Sequence, residues 1–153
     1  MAEVVLSQIE ADALILMEKH RLDSKVYALP DRGKSTIIDL ISSDGRERFL
    51  LDLYRKRSRL RNVRFQTRAR KTVTLVRLDL EGPDHTSPDG ERVPTPHLHL
   101  YSEVHGSKFV IPVPAAAFTA LDDMWTTLND FMRYCNITRP PVFRDPSFQR
   151  KFF

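Results

Sequence analysis

Cysteine is all but absent from this chain: Cys135 stands alone among 153 residues. One thiol cannot close a disulfide within the chain, so a reducing compartment is expected, by default the cytoplasm. Long apolar runs are missing too. No stretch approaches the roughly 20 consecutive apolar residues that span a bilayer, and Met1 to Leu6 has no basic segment leading into an apolar one. Neither export nor a membrane partner is expected. The chain has no internal repeat and no low-complexity tract, which excludes repeat architectures. Gly33-Lys34-Ser35 resembles the end of a phosphate loop, but the upstream glycine of that motif is missing, so no nucleotide site follows. The last absence is local: between Arg55 and Lys71 there is no acid.

What is present fits one ordinary domain. At 41% hydrophobic residues the chain can bury one core but not two. Residues 1–140 are expected to form it, followed by an aromatic and basic tail over 141–153. Ser7 with Glu10 three positions on is a capping box, and Ile9, Ala13, Leu16 and Met17 recur at helical spacing behind it. This predicts a helix to about His20. Thr36 to Ile41 and Arg48 to Tyr54 are rich in β-formers and joined by Ser43-Asp44-Gly45, which predicts a hairpin. Val63, Phe65 and Thr67 alternate with polar residues, and Thr72 to Leu80 is dense in β-branched residues and leucine. After a turn-rich loop from Glu81 to Pro96, His97 to Ser102 and Phe109 to Val113 form another strand pair. Thr119 with Asp122 starts a second helix, with Leu121, Trp125, Leu128, Met132 and Cys135 as its apolar stripe and Asn136 at its end. The connections are too short for helical crossovers. The expected fold is therefore α+β, a single antiparallel sheet flanked by an N-terminal and a C-terminal helix.

The chemistry concentrates in Pro96-His97-Leu98-His99-Leu100-Tyr101. Strand alternation sends His97, His99 and Tyr101 to one face and the two leucines to the core. Four of the five histidines lie between positions 85 and 105, and His85 sits with Asp84 on the loop before this strand. Neutral imidazole is the common side chain that trades protons at physiological pH without tuning. The bland alternative is a pair of strand histidines hydrogen-bonded on a half-exposed sheet face.

Two sharper readings follow. In a metal-independent ribonuclease, His97 and His99 divide the base and acid roles in cleavage through the 2′-hydroxyl, Tyr101 or His85 serves as another proton donor, and arginines hold the phosphate. In a metal enzyme, His97 and His99 bind zinc or iron with His85, Asp84 or Glu103 as a third ligand. The spacing His97-x-His99 followed by Glu103 resembles the first motif of the cupins, without its flanking glycines and without a second histidine motif.

The formal charge of +4 is concentrated in one segment. Arg55, Lys56, Arg57, Arg59, Arg61, Arg64, Arg68, Arg70 and Lys71 are nine of the 24 basic residues, so the rest of the chain is net acidic. Such a segment suits a phosphate backbone, RNA or a nucleoprotein; a solvated edge strand that uses charge against aggregation is the plain alternative. Arg64, Arg68 and Arg70 share a face from which alternation excludes Phe65. Arg77 and Asp79 also share a face and are structural unless they meet the histidines. Cys135 closes an apolar stripe and reads as a buried thiol. The tail, with Phe143, Phe148, Phe152 and Phe153 among Arg144, Arg150 and Lys151, either docks on the body or takes a protein partner.

The run Leu75-Val76-Arg77-Leu78-Asp79-Leu80-Glu81-Gly82-Pro83-Asp84-His85, continued by Pro88-Asp89-Gly90 and Pro96 to Tyr101, resembles an uncharacterised family of short bacterial and phage-borne proteins. Phe131-Met132 and Cys135-Asn136-Ile137 fit it as well. The resemblance implies a prokaryotic or phage setting and brings no established activity. The expectation drawn from the residues is a nucleic-acid-acting protein, a toxin-like endoribonuclease that needs no cofactor. A non-enzymatic inhibitor or antitoxin-like binder using the basic surface is the alternative.

Overall fold

The computed structural model describes residues 5–57 and 63–144. Helix α1 (Gln8–Leu16) opens as the capping box predicts: the Glu10 amide donates to Ser7 Oγ at 3.1 Å and the Ser7 amide to Glu10 Oε1 at 3.4 Å. It stops four residues short of His20, where strand β1 (Lys19–Arg21) has begun. The cause is Lys19, wholly buried, whose ammonium donates to the carbonyls of Ile15 and Met17 at 2.9 and 2.8 Å and to Cys135 at 2.8 Å. The expected stripe is also corrected. Ala11 and Leu14 are the buried positions, while Ile9 and Leu16 are 84% and 75% exposed. Apolar residues surround this helix on every side, so periodicity could not select the inner face.

Strand β2 (Val26–Tyr27) precedes the hairpin of β3 (Ser35–Ser42) and β4 (Arg48–Arg55). In its turn the Arg46 and Glu47 amides donate to Ser42 Oγ, and Gly45 takes a φ of 77°. β5 (Val63–Ala69) and β6 (Val73–Asp79) follow, then the short hairpin β7 (His85–Thr86) and β8 (Arg92–Val93). β9 (His97–Ser102) and β10 (Gly106–Pro112) form the second long hairpin. Helix α2 (Met124–Tyr134), β11 (Ile137–Arg139) and β12 (Val142–Phe143) end the described chain. The second helix thus starts later than Thr119 or Asp122, with Asp123 as its N-cap, and ends on Asn136 at φ 57°.

The main sheet has eight strands in the order β10-β9-β6-β5-β4-β3-β1-β11. The expected single antiparallel sheet is corrected here: β11 lies parallel to β1 at one edge, which makes the sheet mixed, and two further pairs, β12 with β2 and β7 with β8, stand apart from it. Helix α2 carries the chain back across the sheet, so the strand after it arrives in the direction of β1. The start of the tail docks through β12, with the Arg144 amide on the Tyr27 carbonyl at 2.7 Å; Phe148, Arg150, Lys151, Phe152 and Phe153 lie outside the described residues.

One face of the sheet is apolar. Leu51 and Leu53, Phe65 and Thr67, Leu78 and Leu98 are buried on it, and Phe65 meets Phe131 of α2 at 5.9 Å between ring centroids. The Cys135 thiol is buried there too, and burial pushes it up to about 12 against the nearby Lys19 and Thr67. Alternation then assigns the opposite face to Asp52, Arg64, Gln66, Arg77, Asp79, His97 and His99.

Candidate functional site

Register turns these scattered polar residues into a ladder across four strands. Gln66 stands opposite Asp52 and Arg77, Arg64 opposite Tyr54 and Asp79, and on the next strand His99 faces Arg77 while His97 faces Asp79. Arg68 grips Asp52 with both Nε and Nη2, at 2.6 and 2.8 Å. Arg64 Nε donates to Asp79 Oδ1 at 2.8 Å and Arg77 Nη2 to Asp79 Oδ2 at 3.1 Å. Most arginines of this face are therefore ion-paired within the sheet.

Asp79 is the hub. His99 Nε2 lies 3.1 Å and His97 Nε2 3.4 Å from the same carboxylate oxygen, Oδ2. The other ring nitrogens are fixed by backbone carbonyls, His97 Nδ1 on Val93 at 3.2 Å and His99 Nδ1 on Ser107 at 2.8 Å. A carbonyl only accepts, so each Nδ1 carries a proton, and in the neutral form of each ring the lone pair lies at Nε2. Arg77 Nη2, 2.8 Å from His99 Nε2, donates into one of them. Burial alone would raise the Asp79 carboxyl, but the adjoining His99 ring and the charges of Arg77 and Arg64 hold it well below the ordinary carboxylate range. Burial pulls His97 below the usual imidazole range, against the opposing effects of the Val93 carbonyl and Asp79.

The β7–β8 hairpin covers this end of the face, which is why His97 and His99 are each only 2% exposed. Its His85 ring stands edge-on to both, 5.0 Å from His99 and 6.3 Å from His97. His85 is half-buried, and its Nε2 rests on the Lys108 carbonyl at 3.2 Å, leaving Nδ1 to other partners. Beneath the hairpin lies a cavity of about 110 Å³ bordered by Lys56, Arg64, Arg77, Glu81, His85 and the two strand histidines. Two of its lining residues carry a buried polar atom with no partner among the described residues: the donor Arg77 Nε and the acceptor Glu81 Oε2. An unmade hydrogen bond at a buried group costs about 1–3 kcal/mol. Lys56 and Arg64 also border an open trough of about 560 Å³ that runs on over Tyr54, Gln66, Arg68 and Asp52.

The structure brings His85, His97, His99, Arg64 and Lys56 together, with Arg68 along the trough. It does not bring in Tyr101 or Glu103. The Tyr101 hydroxyl donates to the Leu6 carbonyl and accepts from the Leu6 amide, and Glu103 accepts from the Gln8 amide at 2.7 Å. Asp84 pairs with Arg92. Arg70 pairs with Glu47 at 2.8 Å, and it and Lys71 form the β5–β6 turn at φ 51° and 66°. Arg55 donates to the Pro30 carbonyl, and Arg57 packs by Gly33. Arg59 and Arg61 lie outside the described residues. Asp79 and Glu81 were missed as site residues. The shared face of Arg77 and Asp79 is the signal for the first, which the sequence makes structural unless the pair meets the histidines, whereas Glu81 enters the sequence only as the start of the loop to Pro96.

Among the described residues no helix is long and apolar enough to cross a membrane. No curated protein matches the chain. No solved structure matches it either. A family model described as a family of unknown function, DUF6978, matches residues 6–137, and the chain belongs to that family.

Proposed function

We propose that the chain is a metal-independent endoribonuclease whose reaction takes place in the cavity beneath the β7–β8 hairpin. The observation that carries this reading is the lining of that cavity: the unpartnered Glu81 carboxylate oxygen, the half-buried His85, and the three cations Lys56, Arg64 and Arg77. RNA cleavage without a metal needs those functions, namely a base, an acid and positive charge at the phosphorus. The half-buried Glu81 carboxylate takes the proton of the 2′-hydroxyl as O2′ bonds to phosphorus. The bond from phosphorus to O5′ then breaks, and O5′ receives the Nδ1 proton of His85 in its imidazolium form, which keeps its second proton at Nε2 on the Lys108 carbonyl. Products are a 2′,3′-cyclic phosphate and a 5′-hydroxyl end. Arg77, Arg64 and Lys56 stabilise the charge on the non-bridging oxygens.

His97 and His99 take a different role from the one their spacing suggests. Both rings are buried and turned onto Asp79, so they orient Arg77 and support His85 rather than meet the substrate. The trough supports the polymer reading. It leads from the cavity past Lys56 and Arg64 to Tyr54, whose ring offers a stacking surface for an unpaired base on the same side as the arginines. In a cell, uncontrolled cleavage of this kind is growth-arresting, which is the toxin-like form of the proposal.

The test is incubation of the protein with labelled single-stranded RNA in EDTA, beside Glu81→Gln, His85→Ala and an all-deoxy substrate. Cleavage by the wild type, loss of at least a hundredfold in both variants and no cut in DNA are expected. Binding of RNA without cleavage would move the reading to the non-enzymatic binder. Cleavage untouched by both substitutions would sink the assignment.

A further inference from the structure

The acceptors around Asp79 are over-supplied. His97 Nε2, His99 Nε2 and one carboxylate oxygen of Asp79 lie within 4.8 Å of one another. Both Nδ1 atoms rest on carbonyls, so in the Nδ1–H tautomer the two Nε2 atoms and the Asp79 oxygen are all acceptors. Among the described residues the cationic donor to these three atoms is the Nη2 group of Arg77, which serves His99 and Asp79. In that same tautomer His97 Nε2 faces Oδ2 at 3.4 Å as acceptor against acceptor. The seat is also imperfect for Arg77, whose buried Nε lacks a partner among the described residues.

We infer that Asp79, His97 and His99 form a binding site for one divalent transition-metal ion of zinc's class, which competes with the Arg77 guanidinium for the same three acceptors. Zinc bonds imidazole nitrogen and carboxylate oxygen at about 2.0–2.1 Å, so neighbouring ligand atoms in a tetrahedral site lie ~3.3–3.4 Å apart. The two distances from Asp79 Oδ2, 3.1 and 3.4 Å, already match that edge. An imidazole that gives Nδ1–H to a carbonyl and leaves Nε2 bare is also the arrangement that metal-bound histidines adopt. Two neutral rings and one carboxylate leave the fourth position open towards the cavity.

Entry of the ion requires the Arg77 head group to leave. An acceptor is available to it, since Glu81 lines the same cavity and its Oε2 has no partner among the described residues. An Arg77–Glu81 pair would satisfy both orphaned atoms at once. It would also remove a cation and neutralise the base of the proposed cleavage, so the metal turns that activity off. This last consequence rests on the ribonuclease reading, whereas the metal site itself does not.

The experiment is a titration of ¹⁵N-labelled wild-type protein with zinc chloride, followed by long-range ¹H–¹⁵N spectra of the histidine and arginine side chains. One equivalent is expected to shift Nε2 of His97 and His99, leave their Nδ1 atoms protonated, and move the Arg77 guanidinium signals. In a parallel calorimetric titration Arg77→Met binds zinc at least tenfold more tightly than wild type. Zinc that perturbs only the other histidines, or perturbs none, overturns the site; shifts at His97 and His99 with Arg77 unmoved overturn the competition. RNA cleavage is then read with and without one equivalent of zinc. Inhibition supports the switch, and undiminished cleavage with the site filled overturns it. A wild type that never cleaves RNA in EDTA removes the ribonuclease reading while the spectra still decide the metal site.

Discussion

Arg77 and His99 stand directly opposite each other on neighbouring strands, and Arg77 Nη2 donates to His99 Nε2 at 2.8 Å. That contact requires His99 to keep its proton on Nδ1, where Ser107 accepts it. Nitrogen spectra of the metal-free protein at neutral pH are therefore expected to show the Nδ1–H tautomer at both His97 and His99. An Nε2–H signal at either ring would contradict the lone-pair geometry described for Asp79.

Asp79→Asn leaves Arg64 and Arg77 without their shared carboxylate. The arginines are partly exposed, so the loss is discounted from the ~3–5 kcal/mol of a fully buried broken pair to about 2 kcal/mol. The folded Asp79 carboxyl lies below its ordinary value of 3.8, so its contribution is present above that pH and lost as pH falls further. Urea unfolding at pH 7 is expected to show the asparagine variant less stable, and the gap should shrink as the pH drops below about 4. A constant gap would mean that charge at Asp79 is not what stabilises this face.

Lys19→Met removes the ammonium that the carbonyls of Ile15, Met17 and Cys135 share. Methionine fills the space beside Phe49 but donates nothing. With two or three buried carbonyls left unsatisfied the expected loss is about 3 kcal/mol, read as a lower urea midpoint. A change under 1 kcal/mol would show that water replaces the ammonium there.

Cys135 is buried, and burial pushes its thiol up to about 12. Native protein is expected to resist a disulfide-exchange reagent at pH 8 and to release one equivalent of thiol once unfolded in guanidinium. Rapid reaction of the folded protein would show that α2 opens locally.

The elements that announced themselves did so through local chemistry. Ser7 and Glu10 close their own capping box, the turn at Ser43-Asp44-Gly45 joins the two strands it separates, and Leu98 goes to the core because alternation leaves it no other choice. The same alternation placed Arg64 and His97 on polar faces of their own strands. What it could not give was the order of those strands. The β6–β9 pairing spans the loop from Glu81 to Pro96, so whether Asp79 met His97 depended on a register that no local pattern records. Three-residue strands such as β1 and β11 carry too little periodicity to be read at all, and Ile9 and Leu16 looked like core because their helix is apolar on every side.

By itself, then, the amino-acid sequence determined the existence of the long strands, the two helices, the basic segment and the histidine pair, because each depends on spacing between near neighbours along the chain. Only the tertiary structure decided that Arg64, Arg77, Asp79, His97 and His99 form one ladder, that His85 and Glu81 share a cavity with it, and that Tyr101 and Glu103 do not. Strand order and register set which side chains stand within hydrogen-bond distance, and both are fixed by packing of the whole sheet against α1 and α2 rather than by any short run of residues.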